Sequence, residues 1–161
     1  MCLVAFWSCN ETQNSIGPIV NEEQIDRNIS ATELNEIKSE VRKLMISYQN
    51  AMDSLDAEKM LTHFKESPDF VYTRSGKRTR FDDFKKGTQD IPNHFKKLEV
   101  YYDTVYVDVI TKHVAVATLS YEETLTNMKD ETRDISGTIQ WVALRTDGKW
   151  QFIHGHSFKD I

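Results

Sequence analysis

The sequence has 161 residues, of which 39% are hydrophobic and 28% are charged, which is typical of a soluble globular protein with one hydrophobic core. The formal net charge of −5 argues against nucleic acid as the main partner, because phosphate binding requires clustered basic charge. One local basic group is interpreted as a solvated surface. It consists of Lys77, Arg78, Arg80, Lys85 and Lys86.

The first nine residues resemble the end of a bacterial lipoprotein signal peptide. The apolar run over residues 1–7 is too short to span a bilayer and is followed by Ser8-Cys9, where such a cysteine would be lipidated. We therefore expect a signal remnant over residues 1–9, a start codon placed too late, and lipidation at Cys9. This predicts a lipid-anchored or periplasmic protein of the bacterial cell envelope that meets the membrane only through its anchor. The alternative is a cytoplasmic protein.

The next segment, residues 10–29, is polar and contains Gly17-Pro18, a composition typical of a flexible tether. The domain is expected over residues 30–161. The two cysteines of the chain, Cys2 and Cys9, both precede the domain, so it has neither a disulfide framework nor a cysteine-based metal site.

Two helices are predicted at the start of the domain. Apolar residues recur at three- and four-residue steps over residues 34–55, and Ser30 with Glu33 forms a capping box before them. Asp56 is placed to cap a short second helix, and Ser67-Pro68 ends that helix because the residue before a proline is disfavoured in a helix.

A short strand over residues 69–73 and a turn at Ser75-Gly76 follow. Residues 81–97 are predicted to form a helical segment with a break near Asp90, because Pro92 interrupts the pattern.

After residue 97 the hydrophobic period changes from 3.6 to 2, which predicts four long strands. They cover about residues 98–110, 112–126, 132–145 and 149–158. Short turns between consecutive strands predict an antiparallel meander, and helices followed by strands predict an α+β domain with the helices packed on one sheet face. Apolar residues occur at both odd and even positions along these strands, so both faces of the sheet carry them. This indicates that the other face is also covered, and a second copy of the chain could cover it.

This order of elements resembles the nuclear transport factor 2-like, or SnoaL-like, superfamily over about residues 30–160. The segment 147–156, Asp-Gly-Lys-Trp-Gln-Phe-Ile-His-Gly-His, is similar to the last hairpin of the association domain of calcium/calmodulin-dependent protein kinase II. The resemblance implies a cone-shaped, cystatin-like half-barrel with a curved antiparallel sheet. It also implies a homodimer through the sheet and an apolar pocket between sheet and helices. Family functions include isomerases, dehydratases, hydrolases, polyketide cyclases and binding modules, so the fold leaves the function open.

The kinase association domain uses arginines in its pocket, and two of those positions correspond here to Trp141 and Ser157. This difference argues against a carboxylate-binding pocket. Arg145 has the parity of Trp141 but lies nearer the turn.

The loop at Asp147-Gly148 decides which sheet face carries the two histidines. A two-residue loop would put Trp141 opposite His154, whereas a three-residue loop with a bulge would put both histidines on the other face. We favour the three-residue loop because it reproduces the pocket parity of the resembling family, although Asp-Gly suits both. Its predicted pocket set is Tyr48, Met52, Phe64, Tyr72, Trp141, Ile153, Gly155 and Ser157. Its predicted outer or dimer set is Trp150, Phe152, His154 and His156.

Acid–base catalysis needs a titratable group inside the pocket. Tyr121 and Glu123 share one strand face and are the best pair, with His94 and Asp53 as further candidates, although Glu123 is more often expected beyond the pocket rim. His154 and His156 have no third ligand at local spacing, so we predict no metal, and no cofactor motif is present.

The sequence therefore predicts a pocket protein that binds a small apolar or mixed-polarity molecule, with isomerase or hydrolase activity. The alternative is a non-catalytic dimeric binding or assembly module. A polar-lined cavity would favour the first, and a cavity filled by Tyr48, Met52, Phe64 and Trp141 would favour the second.

Overall fold

A computed structural model describes residues 29–160 of the chain. The predicted signal remnant, its lipidation site Cys9, and all of the predicted tether except Ile29 lie outside these residues. Ile29 itself packs against the core. No helix in the described range is long and apolar enough to cross a membrane.

The helices and strands follow one another in the predicted order. They are α1 (Ala31–Asp53), α2 (Ala57–Leu61), β1 (Val71–Arg74), β2 (Lys77–Thr79), α3 (Phe81–His94), β3 (Phe95–Tyr102), β4 (Tyr106–Thr111), β5 (Val114–Asn127), β6 (Thr132–Thr146) and β7 (Lys149–Lys159). The helices pack on one face of a curved, unclosed sheet, so the predicted α+β half-barrel is confirmed.

Both predicted helix starts carry the expected caps. The Ser30 hydroxyl accepts from the Glu33 N–H at 3.2 Å, and the Glu33 carboxylate accepts from the Ser30 N–H at 3.0 Å. The Asp56 carboxylate accepts from the Lys59 N–H at 2.9 Å at the start of α2.

The predicted break in α3 near Asp90 is wrong, since the helix continues through Pro92 to His94. Pro92 lacks the N–H that would bond to the Thr88 carbonyl oxygen, so one helical hydrogen bond is lost. Only Asn93 and His94 follow it in α3, so the interruption affects the end of the helix and not its middle.

The sheet order is β2-β1-β7-β6-β5-β3, with β4 also paired to β5. The predicted single strand over residues 98–110 is two strands, β3 and β4, which pair one after the other along β5. The sheet is mixed rather than fully antiparallel, because β1 pairs with β7 in parallel. That pairing brings Tyr72 beside Gly155, and so joins the start of the domain to its last strand.

The hairpin between β6 and β7 has a two-residue loop, and the predicted three-residue loop is wrong. Asp147 and Gly148 have φ values of 52° and 77°, and Thr146 pairs with Lys149, as a type I′ turn requires. A bulge further along restores the parity that the longer loop would have given, because Ile153 has no partner between the pairs Ala143–Phe152 and Val142–His154.

The bulge divides β7 into two parts that face different ways. After it, Gly155 pairs with Trp141, while His154 and His156 lie on the face away from the helices. Before it, Trp150 and Phe152 face the helices, so their predicted position on the outer face is wrong. Phe152 is fully buried, and Trp150 Nε1 donates to a carboxylate oxygen of Glu40 in α1 at 2.8 Å.

Candidate functional site

A cavity of about 660 Å³ lies between the helices and the concave sheet face. This volume is within the range of small-molecule sites, which is about 300–1,000 Å³. The walls are apolar over most of their area and polar at a few places. The apolar lining consists of Met52, Phe84, Ile91, Phe95, Leu98, Leu125, Ile135 and Ile139.

One wall of the cavity is formed by Trp141, whose side chain is only 1% exposed. Its ring stacks on Tyr72 and on Phe152, with centroid distances of 5.2 Å in both cases. The indole Nε1 has no hydrogen-bond partner in the described chain. An unpaired buried N–H costs about 1–3 kcal/mol, so this donor needs an acceptor that residues 29–160 do not supply.

Four tyrosines line the same cavity. The Tyr72 hydroxyl is hydrogen-bonded to the Ser157 hydroxyl at 2.8 Å. Those of Tyr48, Tyr102 and Tyr121 have no hydrogen-bond partner among residues 29–160. Burial raises the pKa of each of the four phenols, that of Tyr121 to about 12, so all four keep their protons at neutral pH.

Glu123 lies in the cavity wall, on the same face of β5 as Tyr121, and not beyond the rim as we expected. It is partly buried and forms no ion pair within the described chain. Burial raises the pKa of its carboxyl group, while the positive charges of Arg74 and Arg133 act in the opposite direction. A carboxylate that is partly desolvated and has no fixed partner is available to accept a proton.

Basic side chains lie at the opening of the cavity, and this position was not predicted from the sequence. Arg74 of β1, Lys77 and Arg78 of the β1–β2 hairpin, and Arg133 of β6 all line it. The interpretation of Lys77 and Arg78 as an ordinary solvated surface is therefore incomplete. The alternation of side chains along a strand could have indicated these positions. Arg74 is two residues from Tyr72, and Arg133 is eight residues from Trp141, so each arginine shares a strand face with a predicted pocket residue.

Several predicted site residues lie elsewhere. His94 is an exposed residue at the end of α3, 2.7 Å from Asp90 and outside the main cavity. Asp53 accepts a hydrogen bond from the Val100 N–H at 2.8 Å, and joins α1 to β3. Arg145 lies 3.6 Å from Glu40 of α1, near the β6–β7 turn and outside the main cavity.

The predicted pocket set is only partly brought together. Tyr48, Met52, Tyr72, Trp141 and Ser157 line the cavity, whereas Phe64, Ile153 and Gly155 do not. Phe64 is packed behind the wall, with its ring centroid 5.1 Å from that of Trp141. Gly155 lies beneath the Trp141 ring and leaves room for that ring, rather than for a ligand as predicted.

Within residues 29–160, no three histidine, cysteine or acidic side chains come together as a metal-binding group.

Comparison with solved structures shows the same fold in many proteins. A protein from Novosphingobium aromaticivorans, provisionally named a scytalone dehydratase, superposes with a TM-score of 0.75 at 14% identity, covering 82% of this chain and 89% of that one. A nuclear transport factor 2-like superfamily protein from Salmonella enterica superposes with a TM-score of 0.68 at 17% identity, covering 80% and 94%.

A Xanthomonas campestris protein is the third example. It is provisionally named a calcium/calmodulin-dependent protein kinase II association domain and has a TM-score of 0.64 at 22% identity, covering 75% of this chain and 86% of that one. At such low identities these similarities establish the fold alone. No curated protein is similar enough in sequence to match. The model of the SnoaL-like domain family matches residues 41–158, which include the C-terminal half of α1 and every later helix and strand except the last residue of β7, and the chain therefore belongs to that family.

Proposed function

We propose that this protein binds a small organic molecule in its main cavity and transfers a proton to or from it, with Glu123 as the acid–base group. One observation supports this most strongly. A carboxylate without an ion-pair partner shares one cavity with four polar donors, those of Tyr48, Tyr102, Tyr121 and Trp141, that have no partner within residues 29–160.

The chemistry follows from the protonation states. Phenols that keep their protons donate hydrogen bonds to an oxygen of the ligand and stabilise negative charge that develops there. A carboxyl group whose pKa is raised towards neutrality accepts a proton in one step and returns it in the next. This combination suits an isomerase, which moves a proton within the ligand, or a hydrolase, in which the carboxylate activates water.

The comparisons support the same chemical class. The similar Novosphingobium protein is named a dehydratase, and the loss of water from a substrate also requires proton transfer. Because the two sequences are 14% identical, that name supports only the class of step and not a substrate.

Binding is tested with N-phenyl-1-naphthylamine, a neutral apolar probe whose fluorescence rises in a dry pocket. We expect saturable one-site binding that Ile139→Trp abolishes, because Ile139 lines the cavity. The matched control is Ile46→Trp, which adds a ring at a position that is 53% exposed on α1. Equal binding by both variants would place the probe outside the cavity and contradict the proposal.

Proton transfer is tested without knowledge of the substrate. A panel of small ketones is incubated in D₂O, and exchange of the protons next to the carbonyl group is followed by NMR. We expect the protein to accelerate exchange in at least one ketone that displaces the probe, and Glu123→Gln to remove that acceleration. Bound ketones that exchange at the uncatalysed rate would contradict the acid–base role.

A second proposal, a homodimer formed through the outer sheet face, rests on a separate observation. Tyr106 and Phe158 are 64% and 57% exposed on that face. His156 is two residues from Phe158 on β7 and is aligned with Tyr106 across the sheet, with Thr118 and Gln140 between them. The His156 and Phe158 rings are 4.2 Å apart. Exposed aromatic groups of this kind favour a protein interface, and a non-catalytic dimeric module would use this face alone.

A further inference from the structure

We infer that the ligand carries one anionic group, which Arg74 and Arg133 hold at the cavity opening while its apolar body lies inside. This inference rests on the proposed binding of a small molecule and adds the chemical class of that molecule.

The charge at the opening is opposite to that of the protein. Four cationic side chains line the cavity, those of Arg74, Lys77, Arg78 and Arg133, against the two anionic side chains of Asp83 and Glu123. The local balance is therefore 4 − 2 = +2, whereas the whole chain has a formal net charge of −5. Such a local field attracts anions to the opening.

The arginines at the opening differ from the other arginines of residues 29–160. Arg42 donates to the Val105 carbonyl oxygen at 3.3 Å and Arg80 to the Pro68 carbonyl oxygen at 3.2 Å. Arg145 lies 3.6 Å from a carboxylate oxygen of Glu40.

In contrast, Arg74, Arg78 and Arg133 have no hydrogen bond or ion pair within the described chain. Every described arginine away from the opening thus has a protein partner, and every arginine at the opening lacks one. Guanidinium groups that residues 29–160 leave unpaired are available to a ligand.

Two of these arginines act electrostatically on the interior of the cavity. The charges of Arg74 and Arg133 oppose the rise in the pKa of Glu123 that burial causes, and that of Arg74 also acts on Tyr72 and Tyr121. They come from different strands, β1 and β6, and neither contacts the Glu123 carboxylate. An anion between them would gain two guanidinium partners.

The chemistry of the site defines the ligand class. A guanidinium group binds carboxylate, sulfonate or phosphate oxygens in pairs, so the anionic group is one of these. The eight apolar residues that line the cavity require a hydrophobic body attached to it. Glu123 repels an anion inside the cavity, which leaves the opening as the place for the charged end.

The test compares two probes with the same aromatic body. 8-Anilinonaphthalene-1-sulfonate carries an anionic group, and N-phenyl-1-naphthylamine is the same molecule without it. We expect the sulfonate to bind more tightly to the unmodified protein, with an affinity that falls as NaCl is raised. Arg74→Gln and Arg133→Gln should each weaken sulfonate binding about tenfold, as expected for the loss of a charge-assisted hydrogen bond, and leave binding of the neutral probe unchanged.

Lys43→Gln is the matched control, since it also lowers the net charge by one but lies on the exposed face of α1. It should leave both affinities unchanged. Two results would exclude the anionic ligand but leave small-molecule binding in the cavity intact. In the first, the neutral probe binds in the cavity but the sulfonate binds no more tightly. In the second, the arginine variants weaken the binding of both probes equally. If neither probe binds the unmodified protein, the small-molecule function itself fails. If the sulfonate does bind more tightly than the neutral probe, phosphate and carboxylate analogues of the probe identify the preferred anionic group.

Discussion

The Trp141 ring occupies the space in which any residue other than glycine at position 155 would place its Cβ atom. A Cβ built on Gly155 would lie within 2.7 Å of three atoms of that ring. The two residues face each other in the β6–β7 register, and the ring in turn forms a wall of the cavity. The shape of the pocket therefore depends on the absence of one side chain in the strand beneath it.

Gly155→Ala should destabilise the protein by about 1–3 kcal/mol, because the ring must move within a packed core. Urea unfolding, followed by tryptophan fluorescence, measures this loss. Gly87→Ala is the control, since a Cβ there meets no atom within 4 Å. Gly87 lies inside α3, so its replacement by alanine should instead stabilise the protein by about 0.5–1 kcal/mol. An equal effect of the two substitutions would contradict the packing of Trp141 on Gly155.

Glu123→Gln should make the protein more stable at pH 7. The pKa of Glu123 is raised above its ordinary value of 4.5 by burial, so folding becomes less favourable as pH rises above 4.5 and the carboxyl group must ionise inside the cavity. Glutamine has no such charge. The stability difference should therefore be small at pH 4 and increase towards neutral pH, as urea unfolding at several pH values would show. A variant that is less stable than the unmodified protein at pH 7 would indicate that the carboxylate is well solvated or paired.

Replacing His63 should reduce the acid sensitivity of the fold. His63 is 5% exposed, and its Nε2 lies 2.9 Å from the Ser47 hydroxyl. Burial lowers its pKa below the ordinary value of 6.5, so the unfolded chain binds a proton before the folded one does, and stability is lost as pH falls below about 6.5.

His63→Gln should flatten the stability profile between pH 6.5 and the lower folded pKa, at the cost of some stability at pH 7. Thermal unfolding in a pH series measures both effects. His113→Gln removes an exposed histidine and controls for the change in histidine number. An unchanged profile in His63→Gln would exclude this residue as the source of the acid sensitivity.

The proposed homodimer predicts a concentration-dependent mass that two substitutions on the outer face abolish. Tyr106→Glu with Phe158→Glu should give a monomer in sedimentation equilibrium, because two buried charges without partners are costly. Ile46→Glu also replaces an exposed apolar residue, but on α1, and should leave the mass unchanged. A monomeric unmodified protein at high concentration would contradict the dimer.

Local sequence signals predicted the helix starts and the turns well, because each depends on a few neighbouring residues. The capping box of Ser30 and Glu33, the cap at Asp56 and the position of the turn at Asp147-Gly148, although not its length, are of this kind. Pro92 shows the limit of such signals, because its effect depends on how near it lies to the helix end, and nothing nearby marks that end.

The other predictions that failed concern how the strands pair with one another. The two-residue loop placed Trp150 and Phe152 on the helix face, against the expectation, and the bulge at Ile153, which has no local marker, returned His154 and His156 to the outer face. Likewise, the parallel pairing of β1 with β7 brings Arg74 beside Ser157, and this placement is visible only once the sheet is assembled. Most polar groups of the cavity were therefore predicted individually, whereas Tyr102 and the cations at its opening were not.

The parallel pairing of β1 with β7 also has a consequence for biosynthesis. The backbones of His63 and Lys65, which follow α2, bond to Phe152 of β7, and β1 itself lies directly beside that strand. These early segments therefore lack their sheet partner while some eighty residues are translated, and neither the segment after α2 nor β1 can complete its hydrogen bonds on a nascent chain without β7. A ribosome-bound chain stalled before residue 149 should expose the apolar surface of α1 and α2 to chaperones, and productive folding should begin only when the last hairpin has left the exit tunnel.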